Sequence, residues 1–251
     1  MNFDKSSYYP KSALDDDESP VDTSVLPATG DDNEFEPEHV KVDPESEPGL
    51  ILTAISTFLS WALVPMFMPI YGLILAFGLS LLAFTGTGIK LAFIGVAIAF
   101  NVVVPAILVL LLKKLGFVND VGLNGRRERF IPYIICILAL VGTALFMHFK
   151  GAPQWLTMFF FGGAACGVVE VIINNWWKIS VHSAGIAGIV ALLVHLQTAD
   201  YVNPATMTWL MISVGCAGLL GASRIWLGRH TLGQVLAGYT VGFCGIYFMM
   251  L

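Results

Sequence analysis

Charge is scarce in this chain: only 12% of its 251 residues are Asp, Glu, Lys or Arg, against 56% hydrophobic residues and a mean hydropathy of +0.76. That balance excludes a soluble domain with an ordinary core and points to a polytopic membrane protein. The four cysteines, Cys136, Cys166, Cys216 and Cys244, fall inside apolar runs with no CxxC spacing, so they read as small packing residues and say nothing of redox compartment. Neither a GxGxxG turn nor a Walker loop is present, which leaves nucleotide binding without support. Residues 1–48 contain no basic stretch leading into an apolar one, and no Arg-rich, acid-poor stretch. Neither a secretory signal nor a transit peptide is therefore expected, and the first apolar segment reads as an uncleaved anchor.

The few charges are segregated. Residues 1–48 hold 14 of the 18 acids with only Lys5, Lys11 and Lys41, a net of −11, whereas the remainder carries 10 Lys+Arg against four acids, a net of +6. Runs such as Asp15-Asp16-Asp17-Glu18 and Asp31-Asp32, with repeated Glu-Pro and Asp-Pro steps, offer too little apolar surface to offset the entropy of ordering. The reading is a disordered acidic tail over 1–48 and a transmembrane domain over 49–251.

From Leu50 onward the sequence falls into apolar segments at 51–66, 69–86, 88–113, 131–149, 153–173, 182–198, 206–222 and 231–250. A full span needs about 20 residues, so the first two, broken by Pro65 and Pro69, read as two short helices or one kinked helix. An all-α polytopic bundle of about six to eight helices follows. Small residues at helical spacing, Gly163/Gly167, Gly215/Gly218/Gly221 and Gly238/Gly242, are expected to let helices approach closely.

Alternating crossings bring three polar clusters to one face: Arg126-Arg127-Glu128-Arg129 before Pro132, Lys178 to His182, and Ser223 to His230. That face also carries Lys113 and Lys114, while the opposite loops carry only Lys90 and Lys150. The positive-inside rule explains such an imbalance, and so does a cationic pocket for phosphate. A phosphomonoester repels nucleophiles, so its cleavage needs cations and N–H donors on the nonbridging oxygens, an in-line nucleophile, and an acid for the leaving oxygen. His182 and His230, each at a helix start and each preceded by a serine, supply two imidazoles for the last two tasks. Gln234, four residues after His230, lies on the same helical face and can set the ring's tautomer. His39, His148 and His195 lack such company and are assigned no role.

These residues resemble the motifs of the type 2 phosphatidic acid phosphatase (PAP2) superfamily. Ser223-Arg224, five residues, then His230 follows the third motif, Ser-Arg-x5-His-x3-Asp, with Gln234 in the Asp position; Ile179-Ser180-Val181-His182 follows Pro-Ser-Gly-His at two of its four places. Arg126-Arg127-Glu128-Arg129-Phe130-Ile131-Pro132 follows Lys-x6-Arg-Pro only in placing cations before a proline. The resemblance covers roughly residues 50–251. It implies a PAP2-like helical core in which His230 attacks phosphorus, His182 protonates the departing alcohol, and Arg224, Ser180 and Arg126/Arg127/Arg129 hold phosphate oxygens. Ser223 belongs to the same set through its motif, and Lys178 joins it by position. Gln234 can orient the ring but brings no charge, so weaker activation of the nucleophile is expected. Glu170, near a helix end, is a candidate for that charge or a simple surface partner.

The function so implied is hydrolysis of a phosphate or diphosphate on a lipid, of the phosphatidate, phosphatidylglycerophosphate, isoprenyl diphosphate or lipid A type, in the cell (inner) membrane. The expected partners are that lipid and the bilayer; no nucleic acid, cofactor or metal is expected, and oligomeric state and the side of the active face stay open. Trp176-Trp177 beside Lys178 reads first as an interfacial anchor. A PAP2-fold scaffold that lost turnover and a transporter are the rival classes. A metal hydrolase is weaker because two histidines have no evident third ligand.

Overall fold

The computed structural model describes residues 46–116, 130–198 and 203–251, and among these every regular element is helical. Helix α1, Glu47–Ala62, starts where Ser46 accepts a hydrogen bond from the Gly49 amide at 3.2 Å, two residues before the domain boundary expected at 49. It stops because Val64 precedes Pro65 and is driven to an extended conformation (φ −61°, ψ 136°). After a 3-10 turn, Pro65–Phe67, the chain resumes as α2, Met68–Leu79, with Pro69 in the first turn, where a missing N–H costs nothing. The two apolar segments around these prolines thus form one kinked span, Gly49–Leu79.

The next span is continuous but deformed. Helix α3, Thr87–Ile98, passes through a π turn, Ala99–Val103, into α4, Val104–Lys114. Pro105 explains the deformation: it has no N–H to offer Asn101, and the Val104 amide bonds one residue further back, to the Ala99 carbonyl. Asn101 fastens this irregular stretch to the neighbouring span, its Nδ2 donating to Thr143 Oγ1 at 2.8 Å and to the Ala97 carbonyl at 2.9 Å.

Helices α5, Phe130–Phe149, and α6, Gln154–Asn174, pair through a tight turn at Gly151, which takes a left-handed φ of 70°. Then follow α7, Val181–Gln197, α8, Ala205–Trp226, and α9, Leu232–Met250. Six helical stretches among the described residues are long and apolar enough to cross a membrane. Helix α7, with 17 residues, is shorter and is the most enclosed: Ile186, Ile189, Leu192, Leu193 and Leu196 belong to the core and α9 lies along it. The chain is an integral membrane protein with α7 at the centre of its bundle.

Glycines make that centre. A Cβ on Gly238 would collide with the Ser180 carbonyl and one on Gly242 with the Ala184 carbonyl, so α9 rests backbone to backbone on α7. Gly163 and Gly167 face side chains of α5 instead: a Cβ on Gly167 would press into Ile137, one on Gly163 would make ordinary contact with Leu140, and one on Gly221 would meet the Tyr239 side chain. Gly215 and Gly218 differ from expectation: nothing lies within 4 Å of a Cβ at either, so they face outward and bring no helices together.

Candidate functional site

The loops that join α6 to α7 and α8 to α9 meet at one end of the bundle. The Ser180 amide donates to the Gln234 carbonyl at 3.3 Å, and Trp177 lies over Gly233. Two of the three clusters expected to converge are therefore adjacent. The third, Arg126, Arg127 and Arg129, lies outside the described residues.

His230 follows a chain reversal. Helix α8 ends at Trp226, Gly228 takes a left-handed φ of 63°, and the amides of Arg229 and His230 both return to the Arg224 carbonyl, at 3.0 and 3.2 Å. His230 is therefore held against the end of α8 that carries Arg224, and it is only 8% exposed. Thr231 then caps α9, its hydroxyl accepting from the Gln234 amide at 3.4 Å while Gln234 Oε1 accepts from the Thr231 amide at 3.2 Å.

The same Oε1 lies 3.1 Å from His230 Nδ1. An amide N–H only donates, so the Gln234 atom facing Thr231 is its oxygen, and His230 Nδ1 must carry the proton it shares with that oxygen. The ring's lone pair is consequently on Nε2.

His182 stands at the start of α7 and reaches the first helix: its Nε2 is 3.3 Å from the Ser60 carbonyl. A carbonyl only accepts, so this nitrogen carries a proton. The bond also satisfies one of the carbonyls that α1 leaves open at its C-terminus, as Tyr71 does for Ala62 at 2.9 Å. From α8, Arg224 Nη1 donates to the Ser60 hydroxyl at 3.3 Å. Ser60 thus touches residues from both motifs. Sequence reasoning missed it, since a serine in an apolar run carries no chemical signal; its only trace is the spacing of Gly49, Thr53, Ser56 and Ser60 along one side of α1.

The remaining expected residues divide. Ser180 is fully buried, and its hydroxyl caps α7, accepting from the Ser183 amide at 3.4 Å and from the Ser183 hydroxyl at 2.8 Å. Ser223 is buried and donates to the Leu219 carbonyl at 2.8 Å. Both hydroxyls serve their own helices in this arrangement. Lys178 is half-buried in the loop between α6 and α7, beside the exposed Trp176 and Trp177. Glu170 is no surface partner: it is buried on α6, only 3% exposed. His148 meets Phe149 edge-on and His195 lies tilted against Trp155, both near the other end of the helices, and His39 is outside the described residues.

The arrangement offers an imidazole whose Nδ1–H is fixed by Gln234, a second imidazole whose Nε2–H is given to the Ser60 carbonyl, and a guanidinium bonded to the hydroxyl of that same serine on α1. No family model matches the chain, and no curated protein or solved structure matches it either.

Proposed function

We propose that the protein is an integral membrane phosphatase that hydrolyses a phosphate monoester or diphosphate carried by a lipid, in the manner of the PAP2 superfamily. The observation that carries the reading is the His230–Gln234 pair, which fixes the proton on Nδ1 and so makes Nε2 the basic nitrogen of a ring held against the Arg224 end of α8. In the proposed reaction His230 Nε2 attacks phosphorus, an N–P bond forms, and the P–O bond to the lipid breaks with its electron pair passing to the departing oxygen. His182 gives that oxygen a proton. Water then attacks the phosphohistidine, the N–P bond breaks, and the proton released returns to His182. Arg224, with Lys178 and Arg126, Arg127 and Arg129, is proposed to balance the phosphate charge.

A lipid is favoured over a soluble ester because the residues concerned sit at the end of membrane-spanning helices, with Trp176 and Trp177 exposed beside them. The phosphatidate, phosphatidylglycerophosphate, isoprenyl diphosphate and lipid A classes are all compatible with the site, and the cell (inner) membrane is the proposed location. A phosphate-binding membrane protein without turnover is the second reading, favoured by Gln234 in place of a carboxylate and by the engagement of Ser180 in capping. Phosphate release from a panel of lipid phosphates by purified wild type and His230→Ala decides between them. Release that disappears in His230→Ala supports the phosphatase; equal release from both proteins refutes the assignment.

A further inference from the structure

We propose that Ser60 is a positioning residue of this site, and that α1 thereby forms part of the phosphate-binding machinery. The inference rests on the phosphatase reading for what the site binds, and on the geometry of α1 for the residue.

Gly49, Thr53, Ser56 and Ser60 recur at intervals of three or four, which places them on one face of α1. Gly49, Ser56 and Ser60 on that face are buried, whereas Leu50, Ile51, Ile55, Phe58 and Trp61 are exposed. The polarity of a soluble helix is inverted: the small and polar face points inward and the oily face points to lipid. The inward face docks on α8, where Thr53 Oγ1 accepts from the Trp226 indole N–H at 3.0 Å.

At the inner end of this docked face Ser60 offers two acceptors. Its hydroxyl takes a hydrogen bond from Arg224 Nη1 and its carbonyl takes one from His182 Nε2, each at 3.3 Å. An arginine has several rotatable bonds, and fixing them costs entropy that a prearranged partner removes from the binding step. Ser60 does for Arg224 and His182 what Gln234 does for His230: it holds each group in place through one hydrogen bond. With its Nε2–H given to the Ser60 carbonyl, His182 acts as the acid only as the imidazolium, which carries a second proton on Nδ1 and releases that one to the leaving oxygen.

The test uses the full chain in lipid nanodiscs, with Ser60→Ala, Ser60→Thr, Arg224→Ala and the double variant Ser60→Ala/Arg224→Ala. Two readouts run together: turnover of a lipid phosphate, and the rise in melting temperature produced by orthovanadate, a phosphate mimic that needs no turnover. Loss of one hydrogen bond to a charged group should weaken vanadate binding and raise KM by roughly 10-fold in Ser60→Ala. Ser60→Thr, which keeps the hydroxyl, should restore most of it. In the Arg224→Ala background the Ser60→Ala change should add almost nothing, because the group it positions is gone. A role limited to helix packing would lower the melting temperature equally in both backgrounds and leave the two effects on vanadate additive. Additive effects, or wild-type vanadate affinity in Ser60→Ala, overturn the inference while leaving the phosphatase reading intact. If wild type neither releases phosphate nor responds to vanadate, both fall.

Discussion

Gln234 performs two tasks with one oxygen, capping α9 through the Thr231 amide and orienting His230 through Nδ1. Its substitutions separate charge from geometry. Gln234→Glu keeps the reach and the capping box and adds a negative charge at a helix N-terminus, so the melting temperature should hold or rise slightly. Its turnover should equal or exceed that of wild type near neutral pH, since a carboxylate stabilises the imidazolium that develops in phosphoryl transfer. Gln234→Leu removes both hydrogen bonds, costing about 1 kcal/mol of stability and lowering turnover by at least 10-fold as the ring loses its fixed tautomer. Pre-steady-state kinetics and thermal melts of the three forms check this; equal rates in Gln, Glu and Leu would mean that position 234 does not assist the nucleophile. The two histidines should also part company. His230→Ala should abolish phosphoenzyme formation for every substrate, whereas His182→Ala should be least damaging for esters whose alcohol is acidic enough to leave unprotonated. A parallel loss with all leaving groups would deny His182 the role of acid.

Among the elements, the contact between α7 and α9 is the most exacting. Gly242→Ala drives a methyl into the Ala184 carbonyl, and backbone cannot step aside as a side chain can, so a loss of about 1–3 kcal/mol or failure to insert is expected. Gly218→Ala, in open space on α8, should be neutral or stabilise by up to about 1 kcal/mol. Thermal melts of the two variants in one detergent check the contrast. Much of this level was legible in the sequence: prolines 65 and 69 announce the kink, and Gly238/Gly242 sit one turn apart because close helix approach requires it. Other features were not. The spacing of Gly215/Gly218/Gly221 looks equivalent, yet only Gly221 meets a neighbour, because spacing specifies a face and not what that face meets. The π turn follows from Pro105 only once the ladder of amides is traced, and Ser60 acquires meaning only from two helices remote in sequence. Ser180 and Ser223 stand in motif-like stretches of the sequence, but a hydroxyl near a helix end has local backbone partners within reach that sequence alone does not rank.

At the scale of the whole molecule the chain divides by charge into an acidic leader and an apolar body. Ser46 caps α1, so a truncation that respects the structure removes residues 1–41 and spares the cap. Because that leader is too polar to contribute to a membrane core, the truncated protein should insert, melt and turn over substrate as the full chain does. A fall of several degrees in melting temperature would show that the leader packs on the body. The phosphatase reading itself rests on a covalent bond at one named atom. Wild type and His182→Ala would be mixed with a lipid phosphate, quenched in alkali after milliseconds to preserve a phosphohistidine, and mapped by mass spectrometry. Phosphate on His230, formed within the turnover time and absent from His230→Ala, is the predicted result. Turnover without any phosphate on His230, or phosphate mapped to another side chain, would contradict it.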